Sequence, residues 1–198
     1  MNVFRRYLTR DEELRLFRCM AARGDIVSQR DYAWHRLARV TGLRVGALSR
    51  LTCGDARLAL REGYLCLRPE IMKGGRAHSV FVVKKAARAL RDLLRIRREM
   101  SAAESIEAPL IVSRGGRGIS VRTLQSRCRH WQHQAGLSVP YSPHWLRHTF
   151  AQRLVRDSTA RQPLAIAQIA LGHERLSSTA IYTKPSREDV ADALAEVA

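Results

Sequence analysis

Helical spacing of the apolar residues gives way to alternation between residues 56 and 83 of this 198-residue chain. That change of period restricts the fold to a mainly helical body with a small antiparallel sheet, an α+β architecture. Alternation runs from Ala56 to Leu67 around a turn at Arg61-Glu62-Gly63 and resumes over 76–83 (RAHSVFVV), with Lys73-Gly74-Gly75 as the turn between. The apolar run Leu110-Ile111-Val112 is the candidate for a third strand. Elsewhere the signals are helical. Thr9 and Glu12 form a capping box opening a helix to about Arg23. After a break from Gly24 to Ser28, a helix over 29–41 ends at Gly42, with Tyr32, Leu37 and Val40 toward the core. A third helix, over 44–53, closes at Gly54-Asp55, and 84–100 is basic and amphipathic. Residues 101–108 form a polar linker and 114–118 a basic glycine loop, and Ser120 caps a helix to about Gln134. Ser142-Pro143 opens another at 142–157, followed by 163–172, 177–183 and a last helix from Ser186, where Asp189 completes a second capping box. The expected organisation is one domain over 1–198, with residues 1–8 as a basic arm and 186–198 as a terminal helix.

A chain of this length can bury about 70% of its unfolded surface, so a core is available. Its charge is the unusual quantity. Lys and Arg number 35 against 18 acids, a formal charge of +17, and 31 of the 35 are arginine. The planar guanidinium fork suits phosphate, so the expected partner is a polyanion, with nucleic acid first. A GC-rich genome would explain arginine over lysine but not basic over acidic. Cys19, Cys53, Cys66 and Cys128 have no CxxC or zinc-type spacing and are expected as reduced, mostly buried thiols. The first 20 residues lack a signal-peptide core, and the longest strongly apolar runs are as short as VFVV at 80–83, so a cytoplasmic protein without membrane spans is expected.

Four separated segments carry a more specific pattern: TGLRVGALSRLTCGD at 41–55, MKGGRAHSV at 72–80, HWLRHTF at 144–150, and LGHERLSSTAIYT ending at Thr183. In this order, the chain from about Tyr7 to Thr183 resembles the catalytic domain of the tyrosine site-specific DNA recombinases, the phage-type integrases. The resemblance implies the fold of the DNA breaking-rejoining enzymes. It assigns Arg44 as the first catalytic arginine, Lys73 as the catalytic lysine, His144 and Arg147 as the HxxR pair, His173 as the His/Trp position and Tyr182 as the nucleophile. It implies strand cleavage, exchange and religation through a 3′-phosphotyrosyl intermediate, without metal or ATP.

Elementary chemistry is consistent with those roles. A phenol with a pKa of about 10 is a poor nucleophile at neutral pH. Two guanidinium groups beside a scissile phosphate favour the phenolate and neutralise the phosphorane. A lysine on a Gly-Gly turn can protonate the leaving 5′-oxygen, and an imidazole can move protons near pH 7. His148, on the same helix as His144, is expected as a buried, hydrogen-bonded histidine. The tyrosines competing with Tyr182 are Tyr7, Tyr32, Tyr64 and Tyr141.

Two features depart from the family pattern. The acid that usually stands three places after the first arginine is replaced by Ala47, preceded by Gly46, so reduced or differently supported activity is expected. Only eight residues precede the catalytic segment, where most members carry a separate N-terminal domain: either this is an excised domain or, as preferred here, it resembles the short single-domain members such as the fimbrial invertases. For DNA contact, Arg122, Gln125 and Arg129 fall on one helical face suited to base edges, or to solvent. Arg76, Arg114, Arg117 and the 84–98 helix are candidates for phosphate. The 186–197 helix, with Val190, Leu194 and Val197 on one side, could dock on a neighbouring protomer or on its own core. The chemistry implies a tetramer on two DNA sites, with accessory DNA-bending proteins possible. Two rival readings share the residues: a type IB-like topoisomerase, and a non-catalytic DNA-binding regulator.

Overall fold

Capping side chains fix four of the described helix starts. The computed structural model describes residues 7–72, 74–100, 102–172 and 187–197. Helix α1 (Arg10–Ala21) begins at the Thr9/Glu12 capping box. Helix α2 (Ile26–Thr41) begins three residues earlier than the spacing suggests, because Asp25 accepts from the Val27 and Ser28 N–H groups. Helix α2 ends at Gly42 in the left-handed conformation and packs against α1, α5 and α7. Trp34 and Leu37 are fully buried in the main core, with Tyr32 and Val40 packed at its edge.

The region after Gly42 corrects the expectation most. Instead of one helix over 44–53, α3 (Val45–Leu48) is a single turn, and α4 (Cys53–Glu62) follows. Thr52 and Asp55 form a capping box, so Gly54-Asp55 lies inside the start of a helix and does not close one. Most of the 56–67 strand is therefore helix. Cys53, Ala56 and Ala59 recur every three residues and are fully buried, whereas Leu58, which alternation would place with Ala56, is 39% exposed. Gly63 at φ 78° ends α4, and only Tyr64–Leu67 (β1) is strand. It pairs antiparallel with β2 (His78–Phe81), Tyr64 opposite Phe81 and Leu67 opposite His78. Leu65, Leu67 and Val80 face the core, while the Tyr64 and Phe81 rings stack 4.7 Å apart on the outside.

The third strand is not formed. Leu110 N–H donates to the Leu51 carbonyl, and the segment makes only isolated bridges, Thr52 with Pro109 and Val112 with Gly118. Nor is 101–108 a free linker: the Ile106 and Ala108 carbonyls accept from Gly54 and Cys53 and so cap the start of α4. The basic helix α5 (Lys84–Glu99), then α6 (Val121–Gln134), α7 (Pro143–Asp157), α8 (Pro163–Leu171) and α9 (Arg187–Val197) follow as expected. The proposed 177–183 helix lies outside the described residues. The last two residues of the presumed arm are core: Tyr7 and Leu8 are buried, and Leu8 N–H donates to Thr149 Oγ1 on α7. Of the thiols, Cys53 and Cys128 are buried, Cys19 is half-buried and Cys66 exposed.

Candidate active site and nucleic-acid interface

Two of the motif arginines come together although they are far apart in the chain. Arg44 caps α3 immediately after α2 ends, and Arg147 lies on the second turn of α7. Both line one narrow crevice, together with Met72 and His78 from the β1–β2 hairpin and Ala170 and Leu171 from the end of α8. Arg147 is 5% exposed; its Nη1 donates to the Gly42 carbonyl at 2.6 Å and its Nη2 to the Leu171 carbonyl at 2.8 Å. A guanidinium held on the ends of two helices is fixed in orientation without losing its charge. Arg44 is half-buried and makes no ion pair with the described residues.

The glycines of two motifs have a packing reason. Gly42, in TGLR, has φ 63°, and a Cβ there would lie 2.5 Å from Phe150 Cδ1. Gly172, in LGH, has φ 60°, and its Cβ would lie 3.2 Å from His78 Nδ1. Both conformations are easy only for glycine, and in both places neighbouring elements close over the bare backbone.

His144 stands on the first turn of α7, exposed, one turn ahead of Arg147, and it does not line the crevice. Its ring meets that of His148 edge-to-face at 4.6 Å, and His148 is 9% exposed. Lys73, His173 and Tyr182 lie outside the described residues. Met72, which precedes Lys73, and Leu171, two residues before His173, both line the crevice.

The competing tyrosines have other places. Tyr141 is buried and hydrogen-bonded to His35, Tyr7 is buried, Tyr32 packs on Phe17 beneath Arg36, and Tyr64 pairs with Phe81. Of the residues expected to meet DNA, Arg122, Gln125 and Arg129 on α6, opposite its buried Leu124, Cys128 and Trp131, and Arg76, Arg114 and Arg117 in loops are exposed, whereas Arg97 of the basic helix α5 is buried and donates to the Pro109 carbonyl.

Sequence reasoning missed what holds that surface together. Asp31, fully buried on α2, accepts from Arg30 (2.7 Å) and Trp34 on one oxygen and from Arg127 (2.5 Å) and Trp131 (2.9 Å) of α6 on the other. Arg30 also donates to the Val112 carbonyl, beside the 113–118 loop. His35 joins the backbone of Asp31 to the Tyr141 hydroxyl, two residues before α7. Burial opposes ionisation of Asp31, but the Arg30 and Arg127 charges outweigh it and hold the carboxyl below its ordinary value. Burial lowers His35 to about 4, against a partial upward pull from Asp31. The neutral ring fits its partners, with Nδ1–H donating to the Asp31 carbonyl and Nε2 accepting from Tyr141. No local signal marked it, because an Arg30-Asp31 pair reads the same in sequence on a solvated helix face.

Comparison with known proteins places the chain in a family. The tyrosine recombinase XerC of Neisseria meningitidis serogroup B is 33% identical over 168 residues, which is 85% of this chain and 52% of that protein. The XerC of Haemophilus ducreyi is 36% identical over 154 residues, 78% of this chain and 47% of its own. The chain thus spans about half the length of the curated relatives it matches. Among solved structures, a XerA recombinase superposes with a TM-score of 0.76 at 27% identity, covering 96% of this chain and 64% of that one. A XerH site-specific recombinase bound to its difH substrate shares the fold at a TM-score of 0.71 and 22% identity, covering 94% and 52%. The phage integrase family model matches residues 6–189, and the chain belongs to that family.

Proposed function

We propose that this chain is the catalytic part of a site-specific DNA recombinase that cuts and reseals DNA through Tyr182, without metal or ATP. The observation that carries the reading is the crevice in which Arg44 and Arg147 meet, bordered by the hairpin that leads to Lys73 and the helix end that leads to His173. In the proposed reaction the Tyr182 oxygen attacks the phosphorus, and the bond to the 5′-oxygen breaks. The two guanidinium groups neutralise the charge that builds on the phosphoryl oxygens. The Lys73 ammonium gives its proton to the leaving 5′-oxygen, and the phenol proton passes to an imidazole, His144 or His173. The phosphotyrosyl ester keeps the bond energy, so a 5′-hydroxyl from a second duplex reverses the step without a cofactor.

Duplex DNA as the partner is supported by the +17 charge and by the exposed row Arg122, Gln125 and Arg129, flanked by Arg76, Arg114 and Arg117. Strand exchange requires four protomers on two sites. The exposure of Val190 (43%) and Leu194 (61%) on α9 supports a tail that docks on a neighbour. DNA-bending accessory proteins fit an assembly that must bring two sites together.

Covalent trapping tests the reading. Wild type and Tyr182→Phe are incubated with supercoiled DNA carrying the native flanking locus, in EDTA, and quenched with detergent. A protein–DNA adduct in wild type alone, together with paired-site products, is expected. Tight binding without an adduct would overturn the reading in favour of a non-catalytic DNA-binding protein, and relaxation without paired products in favour of a topoisomerase.

A further inference from the structure

The loop between β1 and β2 contains Lys73 in its sequence, and the two glycines that follow Lys73 stand in open space. Cβ atoms at Gly74 and Gly75 would meet nothing within 4 Å, and both glycines have positive φ. The two roots of the loop are held by side chains from elsewhere. On the incoming side, Arg50 donates from Nη1 to the Glu70 carbonyl (2.9 Å) and from Nη2 to the Ile71 carbonyl (2.8 Å). Its Nε donates to the Gly46 carbonyl (3.0 Å), within the single turn that Arg44 caps. An exposed arginine that directs all three nitrogens to backbone carbonyls of two segments ties those segments together, where a solvated arginine would stay free. On the outgoing side, His78 Nε2 lies 3.2 Å from the Ala170 carbonyl, and its ring covers Gly172. The last two carbonyls of α8 are thus taken by His78 and by Arg147. One root of the loop is tied to the element of Arg44, the other to the helix end that fixes Arg147.

We propose that Arg50 and His78 are positioning residues that set the Lys73 loop against the two arginines and thereby govern proton delivery to the leaving 5′-oxygen. The proposal rests on the recombinase reading above. In the step concerned, the Tyr182 O–P bond forms, the P–O5′ bond breaks, and an ammonium proton of Lys73 moves to O5′. Replacing the bridging 5′-oxygen by sulfur removes the need for that proton, because a thiolate is a stable leaving group at neutral pH. A defect in proton delivery is then rescued by sulfur, and a general loss of structure is not.

The experiment measures single-turnover cleavage of matched oxygen and 5′-bridging phosphorothiolate duplexes by the full chain. Wild type, Arg50→Ala, His78→Ala, His78→Gln and, as reference, Lys73→Ala are compared, with DNA affinity and melting temperature alongside. Arg50→Ala and His78→Ala should each slow the oxygen substrate by about tenfold, a part of the 10²–10⁴ that a positioned general acid supplies. Both should cleave the sulfur substrate at close to the wild-type rate, with affinity and melting temperature unchanged. His78→Gln, which keeps a donor toward Ala170, should recover much of the rate. Equal slowing on both substrates, or no slowing on either, would overturn the proposal. Failure of sulfur to rescue Lys73→Ala would also overturn the proposal, whereas the recombinase reading fails separately, taking this proposal with it, if wild type forms no adduct on either substrate.

Discussion

Arg30 and Arg147 are equally buried, at 4% and 5% exposure, and are held in opposite ways. Arg30 meets a carboxylate: Asp31 takes it, together with Arg127, and the cluster is locked by two indole N–H groups. Arg147 rests on the carbonyls of Gly42 and Leu171. A carboxylate cancels a guanidinium's charge, whereas the carbonyls at two helix ends fix its orientation. The first arrangement joins α2 to α6 and to the segment before α7; the second presents a cation in a crevice. On the proposed function the residues around Asp31 serve stability and those around Arg147 serve chemistry, and substitution separates the two.

The largest effect falls on the Asp31 side. Asp31→Ala leaves the buried Arg30 and the half-buried Arg127 without a counter-charge and should cost about 3–5 kcal/mol in urea unfolding. A loss under about 1 kcal/mol would mean that the cluster does not hold α6 on α2. Arg147→Lys keeps a positive charge but cannot span both carbonyls. It should lower the rate of covalent complex formation by about 10²–10³-fold, with a far smaller change in unfolding midpoint than Asp31→Ala. If the midpoint falls as much as the rate, Arg147 is structural and the contrast collapses.

The smallest effect sharpens the Asp31 side by pH. His35 is held neutral in the fold at about 4, below its ordinary value of 6.5. The unfolded chain therefore binds a proton that the folded one refuses, and the stabilisation from His35 is complete above about pH 6.5 and lost as pH falls toward 4. The shift corresponds to at most about 3 kcal/mol. Unfolding free energy measured between pH 7 and 4 should fall over that window, and His35→Gln should flatten the curve. An unchanged slope in the variant would assign the acid sensitivity to other groups.

The two regions were also unequally legible. The Arg147 site was readable because its residues sit in short strings with defined spacing: the prolyl start before His144, Arg147 three residues on, and a glycine one residue before Leu43-Arg44. The Asp31 cluster was not readable. Its members come from residues 30–35, 112, 127–131 and 141, and nothing local distinguishes a buried aspartate from a solvated one. The segment 53–62 was misassigned for a related reason. Ala56, Leu58 and Leu60 alternate as well as Cys53, Ala56 and Ala59 recur, and only packing chose the helical set. The Thr52/Asp55 capping box was the local signal that would have decided it.

What the sequence alone determined was punctuation and chemistry. Caps at Thr9 and Ser120, a prolyl start at Pro143, a left-handed stop at Gly42, the hairpin glycines and the spacing inside each motif segment all act over a few neighbouring positions. Tertiary structure alone decided which polar groups are buried together. It brought Arg44 to Arg147, placed Arg50 and His78 at the roots of the Lys73 loop, and closed Arg127 and Trp131 onto Asp31. The physical reason is range. A helix cap is satisfied by its own neighbours, whereas a buried charge or an open carbonyl is satisfied only by a partner that folding delivers from elsewhere in the chain.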